Sequence, residues 1–374
     1  MQYSYFTNDR LKVSQLGFGC MRLPIINGDP KAIDEDKASE MLIYAIENGV
    51  NYIDTAYPYH GGMSERFVGK VLSKGYRDKV YLATKNPVWL ANTKDDFMKY
   101  LDEQLDNLKT DHIDFYLLHS LDGERFDKIM NLEVFDFVKK AKEEGKIKYI
   151  GFSFHDEYEV FEKIVDSFNW DFCQIQLNYL DRDYQAGLKG LKYAKEKGLD
   201  VVVMEPVKGG KLAKAPEKIK KIFNSSHIKR SPAQWALKWV FNLDEGSVVL
   251  SGMTTLEQVK ENIAVASESE KLTPEEIRLI DEATKIYKDG FRVGCTACEY
   301  CMPCPSGVNI PRVFELYNNV YVFDELDESK KMYQRLIENN MDAQNCVECG
   351  SCESVCPQHL SIIELLKDAD KVLR

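Results

Sequence analysis

Eight of the ten cysteines fall between residues 295 and 356. Cys295, Cys298, Cys301 and Cys304 form one run that ends at Pro305, and Cys346, Cys349, Cys352 and Cys356 form a second that ends at Pro357. Three cysteines at successive x2 spacings let one tight loop aim three thiolates at the corners of a cubane, the fourth coming from further away. Zinc would instead take two thiolates from each of two separated C-x2-C loops. Two uninterrupted runs, each closing on Cys-Pro, favour iron–sulfur over zinc, and such crowding of thiols favours metal over disulfides. The first run is one residue shorter before its last cysteine than the second. Cys20 and Cys173 lie in apolar runs and are expected to be small core hydrophobes.

A second set of residues could move protons. Asp54, Tyr59, Lys85 and His119 each have an ordinary reading when taken alone: a loop cap, a loop aromatic, a surface charge, a core histidine. They gain weight together, because Asp54, Lys85 and His119 close three successive apolar runs and Tyr59 follows Asp54 in the next loop.

Eight such runs punctuate residues 15 to about 270: QLGFGC, VNYIDT, KVYLATK, HIDFYLLH, IKYIGFS, FCQIQLN, DVVVMEP and GSVVLSG. They are nearly continuous in apolar residues, as parallel strands buried on both faces are. Amphipathic segments lie between them; the first puts Ala38, Leu42, Ala45 and Ile46 on one face and stops at Gly49. Eight strand–helix units in about 250 residues predict a (β/α)8 TIM barrel, whose chemistry sits at the C-terminal strand ends. A doubly wound open sheet is the competing architecture, but the G-x-G-x-x-G turn it should carry after its first strand is missing.

The segment LTPEEIRLIDEATKIY has a capping box from Thr273 to Glu276 and reads as the last helix of the barrel domain. We therefore expect a barrel over residues 1–288 and a second domain over 289–374. Between the cysteine runs, Val313, Leu316 and Tyr317 recur at helical spacing, so the second domain is expected to be mainly helical. A formal net charge of −11 argues against a nucleic-acid partner. The opening MQYSYFTNDRLKV has no signal-peptide pattern and no apolar run is long enough to span a bilayer, so a cytoplasmic protein is expected, with no membrane partner.

Over roughly residues 10–285 the sequence resembles the aldo-keto reductase family. IDTAYPYHGGMSERFVG with Asp54 and Tyr59, YLATK with Lys85 and DFYLLHS with His119 carry the resemblance, with IGFS, CQIQLN and SGMTTLEQVKEN further on. It implies a small carbonyl substrate reduced by hydride from NADP(H) or NAD(H). Tyr59 would give the proton, Lys85 would stabilise the phenolate, Asp54 would hold Lys85, and His119 would polarise the carbonyl. It also implies that Ser153 and Gln174 hold the nicotinamide carboxamide, and that Gly252, Glu261 and Asn262 lie on the adenine side of the nucleotide.

Three positions depart from the family pattern. Phe154 and His155 follow Ser153 where the family often has Asn. Met204 stands where an aromatic ring often stacks on the nicotinamide. Gln258 replaces the basic residue that commonly reads the 2′-phosphate of NADPH, which weakens the case for NADPH over NADH; Lys208 and Lys260 are the cations that could take its place. His60, beside Tyr59, is read as an exposed loop histidine or as part of the substrate pocket.

The cysteine runs resemble those of dicluster ferredoxins with helical inserts, and the whole chain resembles the iron–sulfur-fused members of the reductase family. In two-cluster ferredoxins the last cysteine of each run serves the other cluster. The resemblance thus implies one 4Fe-4S cluster on Cys295, Cys298, Cys301 and Cys356, and another on Cys346, Cys349, Cys352 and Cys304. Hydride moves electrons in pairs and clusters move them singly. Either a flavin or another converter joins the two, or a ferredoxin-like partner feeds the clusters. Two other readings are a redox sensor, in which the barrel binds a nucleotide and the clusters signal to a partner, and clusters that serve only as structural staples.

Overall fold

The computed structural model describes residues 1–6, 11–243 and 248–374. An antiparallel pair, β1 (Tyr3–Phe6) and β2 (Leu11–Ser14), opens the chain. Eight strands follow: β3 (Leu16–Gly19), β4 (Tyr52–Asp54), β5 (Tyr81–Asn86), β6 (Ile113–Leu121), β7 (Ile147–Phe154), β8 (Phe172–Gln176), β9 (Asp200–Met204) and β10 (Val248–Gly252). All pair in parallel and close a barrel in the order β10-β3-β4-β5-β6-β7-β8-β9. The TIM barrel expected from the eight apolar runs is the fold observed, although Gly246 and Ser247 of the eighth run lie outside the described residues.

The near-continuous apolar character of the runs has the physical cause anticipated. From Ile113 to His119 every residue of β6 is buried, one side facing the barrel interior and the other the helices. The hairpin was not anticipated. Its Phe6 and Val13 join Tyr52, Phe115, Phe172 and Val248 in the barrel core, with the rings of Phe6 and Phe115 edge to face at 6.1 Å. Strand pairing is tight where β7 meets β8: a Cβ at Gly151 would stand 2.5 Å from the Phe172 carbonyl oxygen, so only glycine fits.

Three helices bear on the site: α1 (Glu35–Glu47), α2 (Met63–Leu72) and α3 (Lys94–Leu108). α1 buries Ala38, Met41, Leu42, Ala45 and Ile46, and Gly49 just beyond it takes a φ of 93°. These are the face and the stop read from the sequence.

Contacts divide the chain into two compact units, residues 1–213 with 230–274 and residues 214–229 with 275–374. The helix Pro274–Asp289, read above as the last of the barrel, thus groups with the second unit from Glu275 onward, where Tyr287 packs on Phe323 at 5.4 Å between ring centres. That unit is helical. Ile310–Val322, Leu326–Glu338 and Ile362–Leu373 surround a core that includes Val313, Phe314, Leu316, Tyr333 and Leu366. Among the described residues no helix is long and apolar enough to cross a membrane.

Candidate active site and iron–sulfur sites

Parallel strands in register bring their C-terminal ends to one rim, and the register pairs Gly19 with Asp54 and Asp54 with Ala83. Asp54 is the last residue of β4, Lys85 the penultimate residue of β5 and His119 lies near the end of β6. All three are buried. Lys85 Nζ donates to Asp54 Oδ1 and Oδ2 at 2.7 and 2.9 Å, to the Thr55 carbonyl at 2.8 Å and to Tyr59 Oη at 3.2 Å. An ammonium carries three hydrogens and no lone pair, so Tyr59 can only accept from it, which leaves the phenol hydrogen to point elsewhere.

Burial pulls the Lys85 pKa down, but the Asp54 carboxylate and the Tyr59 oxygen outweigh it and hold its pKa above the ordinary lysine value. Burial also pushes the Tyr59 phenol up from its usual value, against the downward pull of Lys85. Desolvation outweighs that pull, and Tyr59 rests as an acid at neutral pH.

Burial, followed by the charges of Lys85, His155 and Arg125, drives the His119 pKa well below the ordinary histidine value, so its ring is neutral. Its Nδ1 is buried without a hydrogen-bond partner. A buried orphan acceptor is tolerated better than a buried orphan donor, which assigns the proton to Nε2. The ring is edge-on to Tyr59, centroids 6.2 Å apart, and Trp89 packs against it at 5.1 Å. The sign of its pH linkage follows: below about pH 6.5 the unfolded histidine takes a proton that the folded one refuses. Stability is expected to fall as pH drops through that region, and His119→Gln, followed by urea denaturation at several pH values, should flatten the slope.

The residues proposed for the nucleotide are spread over four strand ends. Ser153 and Gln174 are buried on β7 and β8; Ser153 Oγ accepts from the Ser120 amide at 2.7 Å, and Gln174 Nε2 donates to Met204 Sδ at 3.4 Å. Gln174 Oε1 is buried without a partner, an acceptor that suits an amide donor such as a carboxamide. Met204 ends β9 and Gly252 ends β10. The helix Leu256–Ala266 carries Gln258, Glu261 and Asn262. Gln258 Oε1 accepts from the Thr254 amide at 2.8 Å and so helps to hold the helix start, while Asn262 Nδ2 donates to Ser251 Oγ at 2.9 Å. The alternative cations are engaged elsewhere: Lys208 pairs with Asp181, and Lys260 Nζ stands 5.6 Å from the centre of the Tyr44 ring.

His60 is half-buried rather than fully exposed. Its Nε2 accepts from the Leu23 amide at 3.2 Å and its Nδ1 meets the Pro30 carbonyl at 2.8 Å, stitching the loop after β3 to the one that carries Tyr59. Trp89 and the Thr55 carbonyl were missed in the sequence. The NPVW that follows Lys85 held the signal for Trp89; a backbone carbonyl leaves none. Cys20 and Cys173 are core thiols, and burial pushes the Cys173 thiol up to about 12.

In the second unit the thiols ring two cavities. One is lined by Cys295, Cys298, Cys301 and Cys356; the other by Cys346, Cys349, Cys352 and Cys304. Among the described residues no three His, Cys, Asp or Glu side chains converge closely enough to share one ion. Four thiols around a void fit a polynuclear cluster better than a single zinc. The two loops repeat one backbone device: the residues on either side of the middle cysteine, Ala297 and Glu299 in the first and Glu348 and Gly350 in the second, have φ between 55° and 74°. Three of these four are not glycine, so the left-handed turns are held at a cost, which is ordinary where a loop must wrap a ligand. Asn318 anchors the entry to the first loop, its Oδ1 accepting from the Arg292 and Val293 amides at 2.8 and 2.9 Å.

Comparison with known proteins finds two families along the chain. Residues 15–285 match the sequence profile of the Aldo/keto reductase family and residues 294–360 that of the 4Fe-4S dicluster domain. The chain is 30% identical over 310 residues to the uncharacterized oxidoreductase YqkF of Bacillus subtilis (strain 168), covering 74% of this chain and 95% of that one. It is 29% identical over 290 residues to an L-galactose dehydrogenase of Arabidopsis thaliana, covering 71% of this chain and 88% of that one. Among solved structures, the holo form of aldo-keto reductase AKR11C1 from Bacillus halodurans superposes with a TM-score of 0.62 at 29% identity, over 75% of this chain and 96% of that one. A thermostable aldo-keto reductase, Tm1743, gives 0.63 at 24% identity over 75% and 99%, a likeness of fold. With the barrel, the strand-end residues and the thiol-lined cavities in place, the match to both profiles makes this chain an oxidoreductase that belongs to the aldo/keto reductase family and carries a C-terminal 4Fe-4S dicluster domain.

Proposed function

We propose that the barrel reduces a small carbonyl compound with NADH or NADPH, and that Tyr59 donates the proton. The observation that carries this reading is the hydrogen bond from Lys85 Nζ to Tyr59 Oη, because it fixes the phenol as an acceptor toward Lys85 and frees its hydrogen for a substrate oxygen. A bound nicotinamide nucleotide supplies the hydride. As the carbonyl oxygen gains charge, Tyr59 passes it the phenol hydrogen and Lys85 stabilises the phenolate left behind. His119 donates from Nε2 to the same oxygen and stays neutral, so it lends a dipole without a second proton transfer. Asp54 keeps Lys85 charged in a dry site. Ser153 and Gln174 would hold the carboxamide over Met204, and Gly252, Glu261 and Asn262 would border the adenine side.

Steady-state oxidation of NADH and NADPH by anaerobically purified protein over a panel of aldehydes and ketones tests the reading. Activity that requires a carbonyl and is lost by about 10²- to 10⁴-fold in Tyr59→Phe supports it. A Phe variant with near-normal turnover defeats it. Gln258 supplies no charge for a 2′-phosphate, so Gln258→Arg is expected to improve NADPH over NADH by about tenfold, one charge-assisted hydrogen bond's worth, in the ratio of kcat/KM values.

For the second unit we propose two 4Fe-4S clusters, one on Cys295, Cys298, Cys301 and Cys356 and the other on Cys346, Cys349, Cys352 and Cys304. Such clusters supply one-electron transfer, and a ferredoxin-like carrier is the chemistry that matches them. Iron and sulfide analysis of the same anaerobic preparation decides this: stoichiometric zinc without iron refutes it.

A further inference from the structure

The outer face of a barrel strand ordinarily meets its helices through aliphatic side chains, as β9 does with Val201 and Val203. β5, the strand that carries Lys85, is built differently. Thr84 and Asn86 face outward and are buried together with Glu65, Gln104 and Tyr116. Thr84 Oγ1 and Gln104 Nε2 both donate to Glu65 Oε1 at 2.6 Å, and Gln104 Nε2 also reaches the Lys85 carbonyl at 3.0 Å. Tyr116 donates to Gln104 Oε1 at 2.7 Å, and Asn86 Nδ2 donates to Tyr116 Oη at 2.9 Å. A buried carboxyl and two buried amides are costly where aliphatic packing would serve, and such networks persist where a unique geometry is required.

The residue before Glu65 works on the other end of the same lysine. Ser64 Oγ donates to the Cys20 carbonyl at 3.1 Å and shares a hydrogen bond of 2.9 Å with Thr55 Oγ1. Thr55 in turn supplies the carbonyl that accepts from Lys85 Nζ. α2 comes near enough to α3 for this because of Gly69, where a Cβ would lie 2.4 Å from the Asn107 carbonyl oxygen. One turn of helix therefore reaches the Lys85 ammonium through Thr55 and the Lys85 backbone through Thr84 and Gln104.

We propose that Ser64 and Glu65 are positioning residues for Lys85, and that they set the distance from its ammonium to Tyr59 and with it the acidity of that phenol. This rests on Tyr59 being the proton donor, so the test includes a readout that needs no turnover. Protein labelled with carbon-13 at tyrosine Cζ gives a Tyr59 resonance, assigned by its loss in Tyr59→Phe. In Glu65→Leu the Tyr59 titration is expected to move upward as Lys85 loosens, and kcat on 4-nitrobenzaldehyde to fall roughly 10- to 100-fold, the scale of a small misplacement. Glu65→Gln keeps the Oε1 acceptor and should restore both. Thr84→Val removes one hydrogen bond without changing shape and should shift both in the same direction by less; it decides the matter if Glu65→Leu does not fold. An unmoved Tyr59 titration in folded Glu65→Leu or Thr84→Val overturns the proposal, as does failure of Gln to rescue. Wild-type turnover in Tyr59→Phe would instead defeat the reading of Tyr59 and leave the titration as the test of positioning.

Discussion

Lys85→Met is expected to lose both turnover and stability, and for separable reasons. Turnover should fall by about 10²- to 10⁴-fold, because the phenolate that forms at Tyr59 would have no cation 3.2 Å away to receive its charge. Stability should fall by about 3–5 kcal/mol, because Asp54 would be a buried carboxylate with no ion-pair partner. Asp54 would answer by keeping its proton, since burial already pushes its pKa up even with Lys85 present. The sign of the linkage then follows. In the unfolded chain Asp54 ionises near pH 3.9, while in the folded variant it does not, so the variant should lose stability as pH rises through about 4. Adding Asp54→Asn removes the charge and should recover most of the stability at neutral pH without recovering turnover. Urea denaturation and single-turnover kinetics on the two variants would measure both. If the double variant were as unstable as the single one, the loss would lie in packing rather than in the unpaired carboxylate.

The strand-end residues were legible because two periodicities coincide in them. A run of apolar residues announces a buried parallel strand, and a lone Asp, Lys or His at its end violates that pattern where a barrel keeps its chemistry. The cysteine runs were legible for a simpler reason, since a spacing of three residues is itself the geometry of a loop around a cluster. What escaped was carried by single long-range hydrogen bonds. His60 looked like a surface histidine because nothing in YPYHGG indicates that its ring will meet the backbone of Leu23 and Pro30. Gln258 was rightly noted as lacking charge, but its use as a brace for Thr254 is a fact of one helix start. The β1–β2 hairpin escaped because its short strands give too little alternation to stand out. The buried set around Glu65 escaped because a glutamate in the first turn of a helix ordinarily faces solvent.

The exchange of last cysteines between the two runs can be tested without knowing the substrate. In a background of Cys346→Ser, Cys349→Ser and Cys352→Ser, the cavity bordered by Cys295, Cys298, Cys301 and Cys356 keeps all four thiols. About four irons per chain should remain. Adding Cys356→Ser should then abolish the remaining cluster, and adding Cys304→Ser should spare it. If each run served its own cluster, the two outcomes would be reversed, so iron analysis and the visible spectrum of two proteins discriminate between the pairings. The one-residue shortening before Cys304 is the reason to do this, because it could have turned that thiol back toward its own loop. In the structure Cys304 lines the cavity of the second run, while the helix Ile310–Val322 that starts soon after it presents Ile310 to both cavities. That helix packs on Ile362–Leu373, which follows the second run, so each loop leads into a helix that supports the other. Loss of one cluster should therefore loosen both loops, and the surviving cluster in the triple variant is expected to be lost to oxygen faster than in the wild type, as read by the decay of its absorbance in air.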